Sequence, residues 1–100
     1  MSDEIEISCA ALLKALADET RLTVVRALMN GERHVGALVD ELNIEQSLLS
    51  HHLRSLRDAG IVESQRDGKA VLYRLAKGVE SRRRGKIIDL GCCQLSFEKP

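Results

Sequence analysis

Apolar residues in the first part of the chain recur at intervals of three and four, the period of helices that bury one face. Ile5, Cys9, Leu12, Leu13 and Leu16 share a stripe and predict a first helix over about 5–17, with Cys9 among its apolar positions. Asp18 can cap a second helix, whose buried face is Leu22, Val25, Leu28 and Met29 and whose stop is Asn30-Gly31. VGALVDEL predicts a short third helix over 35–42, and a fourth runs from about Gln46 to Ala59, stopped by Gly60. The period then changes. IVESQR and AVLYRL are short β-branched or alternating runs joined by Asp67-Gly68-Lys69, a strong hairpin signal. Val79, Ile87 and Leu90 return to helical spacing and predict a last helix over about 77–90, with Gly91 as its left-handed stop.

Residues 35–56 combine two short helices with a tight turn at Asn43, the arrangement of a helix-turn-helix, with buried positions expected at Leu38, Val39, Leu42, Ile44 and Leu49. On the second of these helices Leu48, Leu49, Leu53 and Leu56 take one side, and Gln46, Ser47, Ser50, His51 and Arg54 take the other. Short hydrogen-bonding side chains with an Arg at the end suit base edges and phosphates in a major groove, whereas an ordinary solvated face favours Lys and Glu. The hairpin follows directly. With Arg66 and Lys69 flanking its tip it reads as a wing reaching a neighbouring phosphate or minor groove. The expected fold is mainly α with a small β-hairpin wing: a winged helix-turn-helix binding double-stranded DNA.

Length and composition support one small Leu-rich helical domain of 100 residues, with Tyr73 and Phe97 its only aromatics. No apolar run approaches the roughly 20 residues of a membrane span, and MSDEIEIS is acidic where a signal peptide is basic and then apolar. A cytoplasmic protein with no membrane partner is expected. The zero net charge hides an asymmetry: residues 1–42 carry eight acidic groups against Lys14, Arg21, Arg26 and Arg33, while the basic surplus lies in 43–100, including the Arg82-Arg83-Arg84 run and Lys86. A phosphate-binding surface can therefore be local. No spaced nucleophile, base and stabiliser is present, so an enzyme is not expected.

LKALADETRL, LNIEQSLLSHHLRSLRDAGIV and RDGKAVLYRL resemble the three signature stretches of the ArsR/SmtB family of metal- and metalloid-responsive repressors, over about residues 10–76. The resemblance implies a winged helix-turn-helix homodimer, joined through its first and last helices, that binds a palindromic operator and releases it when inducer binds. It also places the family's recognition positions on Gln46, Ser47, Ser50, His51 and Arg54. Two sites found in that family are missing. His34 and Gly36 stand where some members carry thiols in the helix opening the motif, and residues 77–100 hold no His for a zinc site on the last helix. His51 and His52 are adjacent and make a poor chelate, with His52 expected to pack and His34 to be structural or solvated.

Cys9, Cys92 and Cys93 remain. Three thiolates without added nitrogen or carboxylate suit trivalent arsenic or antimony, which takes three sulfurs in a pyramid, while zinc usually asks for a fourth ligand. The resemblance extends to this point, since some members place a Cys-Cys pair near the C-terminus, as in DLGCCQLSF. Whether Cys9 joins its own subunit's pair or its partner's is open at this level. Cadmium, lead and copper(I) also accept such thiolates, and a thiol-redox or persulfide switch is the rival chemistry. Cysteine is also commonly buried as a small apolar residue. Because fold does not fix function, a winged helix serving only protein contacts is the reading from another class.

Overall fold

A computed structural model describes residues 8–98. Five helices and six short strands follow one another as α1 (Cys9–Leu16), α2 (Glu19–Met29), β1 (Arg33–His34), α3 (Val35–Leu42), α4 (Gln46–Asp58), β2 (Val62–Asp67), β3 (Ala70–Leu75), α5 (Lys77–Ser81), β4 (Arg83–Arg84), β5 (Ile87–Asp89) and β6 (Gln94–Ser96).

Local chemistry accounts for the helix boundaries. The Ser8 hydroxyl accepts from the Ala11 amide at 3.1 Å and opens α1; the expected start near residue 5 lies outside the described residues. Asp18 caps α2 as its position in the sequence suggests, accepting from the Arg21 amide at 3.0 Å. Asn43 takes the left-handed conformation, φ 53°, and turns the chain between α3 and α4. At the end of α4 the Gly60 amide donates to Arg57 and the Ile61 amide to Leu56, so the φ of 78° at Gly60 closes a Schellman stop.

The core lies where α2, α3, α4 and the base of the hairpin meet: Val24, Val25, Leu38, Leu49 and Leu53 have no measurable exposure. Of the four positions expected to be buried on α2, Val25, Leu28 and Met29 are, while Leu22 is half-buried; Val24 and Ala27 are buried as well, because that helix is covered on two sides by neighbours. Leu48 corrects the reading of α4. It is 47% exposed, since on the helix it sits at the flank of the Leu49, Leu53 and Leu56 stripe rather than within it.

The hairpin pairs Val62 with Leu75 through to Asp67 with Ala70, leaving Gly68 and Lys69 as a two-residue tip. A third strand joins it. β1 pairs with β3, Arg33 opposite Tyr73 and His34 opposite Leu72, giving the sheet order β1-β3-β2. Two residues carry no periodicity to read, which is why β1 is silent in the sequence.

The last helix is the largest correction. Expected over 77–90, it ends at Ser81, and β4, β5 and β6 form a second antiparallel sheet in that order. Gly85, φ 60°, sits in the two-residue turn that pairs Arg84 with Ile87. Gly91, φ 90°, sits in a second turn closed by the Leu90 amide donating to the Cys93 carbonyl at 2.9 Å. It is thus a hairpin residue and not a helix stop. Glycine inside a helix costs about 1 kcal/mol, and the β-branched pair Ile87-Ile88 favours an extended chain. Ile88, off the helical stripe, becomes a core residue at 1% exposure.

Candidate DNA-binding face and thiol centre

α4 places Gln46, Ser47, Ser50, His51 and Arg54 on one side, and all five are exposed. Its opposite side, Leu49, Leu53 and Leu56, is fully buried and fixes the rotation of the helix. Arg66 and Lys69 are exposed on the wing. Elsewhere on the hairpin Arg74 donates to Glu63 at 2.8 Å and lies 3.5 Å from Glu32, and these carboxylates hold its guanidinium above the ordinary range. That pairing braces the base of the wing. Asp67 at the tip faces His34 at 2.8 Å, tying β1 across β3 to the end of the hairpin, so His34 is a structural histidine with an exposed edge.

The basic run beyond the wing divides. Arg83 forms a close pair with Glu80, 2.8 Å, which raises its pKa, while Arg82 and Arg84 are exposed. The run follows the base of β3, and six extended residues, roughly 20 Å, separate that base from the wing tip.

The three cysteines meet within one chain. Cys9 opens α1, Cys92 is the second residue of the Gly91-Cys92 turn, and Cys93 leads into β6. Cys9 and Cys92, 83 residues apart, are joined as a disulfide with Cα atoms 5.8 Å apart. Cys93 is a free, half-buried thiol whose sulfur lies 3.9 Å from that of Cys92. All three sulfurs lie within 4.8 Å of one another, and among the described residues they are the one such group of His, Cys, Asp and Glu side chains. With metal–sulfur bonds of about 2.3 Å, three sulfurs around one centre lie at most about 4.0 Å apart, so the set is close to the spacing of a three-sulfur centre and would have to draw in by under about 1 Å once the disulfide is reduced. The turn is what assembles it: Gly91 adopts a conformation that side chains resist, and its amide donates to the Asp89 carboxylate at 2.8 Å. Beside Cys93 an apolar groove of about 310 Å³ runs between Leu13, Leu16, Leu22, Leu90 and Leu95.

One cluster went unread in the sequence. His52 is buried at 7% exposure, as its place on the inner side of α4 suggests, but its Nδ1 accepts from Arg21 Nε at 3.0 Å and lies 4.0 Å from an Asp18 oxygen. Arg21 Nη1 also donates to the Ala15 carbonyl at 3.3 Å. The signal available was two polar residues, Arg21 and His52, falling next to apolar stripes on different helices.

The model of the family described as bacterial regulatory protein, arsR family, matches residues 18–64. The biofilm growth-associated repressor of Xylella fastidiosa (strain 9a5c) is 38% identical over 85 residues, 85% of this chain and 75% of that protein. The chain belongs to the ArsR family. A second relative, the HTH-type transcriptional repressor SmtB of Mycobacterium tuberculosis, is 45% identical over 73 residues, 73% of this chain and 54% of that protein, so this chain spans about half of SmtB's length. The fold agrees as well. The homodimeric winged helix-turn-helix DNA-binding domain from Mycobacterium bovis superposes with a TM-score of 0.68 at 34% identity, covering 73% of this chain and 68% of that one. No helix among the described residues is long and apolar enough to cross a membrane.

Proposed function

We propose that this ArsR-family protein is a homodimeric transcriptional repressor that holds a palindromic operator through α4 and the wing and lets go when its three cysteines take an inducer. The observation that carries the inducer reading is the convergence of the Cys9, Cys92 and Cys93 sulfurs within 4.8 Å. Trivalent arsenic or antimony is the inducer. Arsenous acid exchanges its three hydroxyls for the sulfurs of three thiols, whose three protons leave with the hydroxyls as three waters, and the product needs no fourth protein ligand.

Gln46, Ser47, Ser50 and His51 would meet base edges, Arg54 would close the face on phosphate, and Arg66 and Lys69 would hold the backbone beside it. The homodimer is supported by the likeness to the M. bovis domain, which is itself homodimeric. It is further supported by Leu13 of α1, which is 49% exposed beside the apolar groove.

A second reading draws on the Cys9–Cys92 bond itself. Two thiols can surrender two protons and two electrons to hydrogen peroxide, which becomes two waters, and the disulfide then replaces the metalloid as the signal. Titrating the reduced protein on its own promoter with arsenite, antimonite, cadmium and peroxide separates the two. Release by arsenite or antimonite at stoichiometric levels supports the first reading, release by peroxide alone supports the second, and no release by any of them removes both.

A further inference from the structure

We propose that Arg21 and His52 are the positioning pair through which the state of the thiol centre reaches the DNA-reading helix. This rests on the thiol-gated repressor reading above. One guanidinium ties three helices together: the Arg21 amide is held by Asp18 at the start of α2, Nη1 donates to Ala15 in the last turn of α1, and Nε donates to His52 in the middle of α4. α1 is only eight residues long. Its first residue, Cys9, belongs to the thiol centre, and Ala15, six residues on, is the carbonyl that Arg21 grips. The two ends of this short rod are about 9 Å apart at 1.5 Å per residue, too short to absorb a shift by bending. A ligand that draws the Cys9 sulfur farther than its own side-chain rotation reaches therefore moves the carbonyl of Ala15.

At the other end, His52 is the one polar residue in the buried set of α4, and His51 beside it lies on the exposed face with ring centroids 5.8 Å apart. In its bond with Arg21, His52 accepts at Nδ1. A buried acceptor facing a charged donor resists being left unpaired. When α1 shifts, Arg21 must give up Ala15 or draw His52 with it, and the second choice turns the helix that carries Ser50 and His51. The thiol centre and the operator then share one coupling free energy, which acts equally in both directions.

The test compares operator affinity of the reduced full chain with and without arsenite, and again after peroxide, in wild type, Arg21→Gln, His52→Leu and His52→Asn. Arsenic–sulfur absorption serves as an independent measure of thiol occupancy. Wild type should lose operator affinity on adding either arsenite or peroxide. In Arg21→Gln and His52→Leu that loss should shrink at least about tenfold, while reduced-state affinity stays within about threefold and arsenic still binds the sulfurs. His52→Asn offers an amide oxygen close to the place of Nδ1 and should restore most of the response, which a purely structural role would not predict. If His52→Leu does not fold, Arg21→Gln, at a half-buried position, decides alone. An undiminished response in Arg21→Gln with intact arsenic binding overturns the pair and leaves the repressor reading standing. A wild type released by neither arsenite nor peroxide overturns both.

Discussion

Cys9 and Cys92 stand 5.8 Å apart at their Cα atoms although 83 residues separate them, so their bond closes almost the whole described domain into a loop. It joins the first residue of α1 to the turn of the second sheet, which is otherwise linked to α1 only through the intervening backbone.

A cross-link over so long a loop removes conformations from the unfolded chain, typically about 2–4 kcal/mol of stabilisation. Urea unfolding of the oxidised protein should therefore give an unfolding free energy higher than that of the reduced protein by an amount in that range. Cys92→Ser should erase the difference, whereas Cys93→Ser should keep it, because Cys93 is outside the bond.

The thiol set makes a second, separable prediction. Cys92→Ser or Cys93→Ser should leave operator binding near wild type and abolish release by arsenite, since a ligand shifts an equilibrium only through its differential affinity for the two states. X-ray absorption of the wild-type complex should count about three sulfurs around arsenic, the number of thiols in the centre. Normal arsenite release in the double Cys92 and Cys93 variant would show that the pair is structural.

On the DNA side, Ser50→Ala and His51→Ala should each weaken specific binding by about 1–3 kcal/mol without disturbing the fold, because both side chains project from the exposed face of α4. Arg66→Ala and Lys69→Ala should lower affinity for every sequence alike and reduce the slope of affinity against salt. Competition binding against scrambled duplexes at two or more salt concentrations measures both effects. Equal loss on specific and scrambled DNA for the Ser50 variant would reassign the reading face.

Asp18 ties stability to pH. The hydrogen bond from the Arg21 amide lowers its pKa below the ordinary carboxyl value, with partial desolvation opposing and the Thr20 amide and the Arg21 charge helping in the lowering direction. A depressed folded-state pKa means that the cap's contribution is full above about pH 4, the unfolded value, and is lost as pH falls through the lower folded one. Asp18→Ala should cost about 1 kcal/mol at neutral pH, and Asp18→Asn, which keeps an accepting oxygen, distinctly less. Thermal unfolding across pH 2 to 7 checks both, and a wild-type-minus-Ala difference that does not shrink at the acid end would contradict the assignment.

Much of this protein is legible along the chain because its determinants are local. Caps at Asp18 and Asn43, the Gly60 stop, the Gly68-Lys69 tip and the two faces of α4 each follow from residues within one or two turns of one another, and the structure has them where periodicity and turn chemistry suggest. Tertiary packing decided the rest. Three positions from Val79 to Leu90 suffice to draw a helical stripe, yet two glycines at positive φ and the burial of Ile88 make the segment a sheet, and only that sheet turns Cys92 and Cys93 toward Cys9. β1 exists only because β3 lies beside it, and Leu48 is exposed only because nothing packs on that flank of α4. Arg21 and His52 are 31 residues apart, and no spacing rule pairs a guanidinium with an imidazole on another helix. Local patterns determine which elements form, because their hydrogen bonds close within a few residues. Which side chains meet across those elements depends on packing between them, and that information is absent from any short window of the chain.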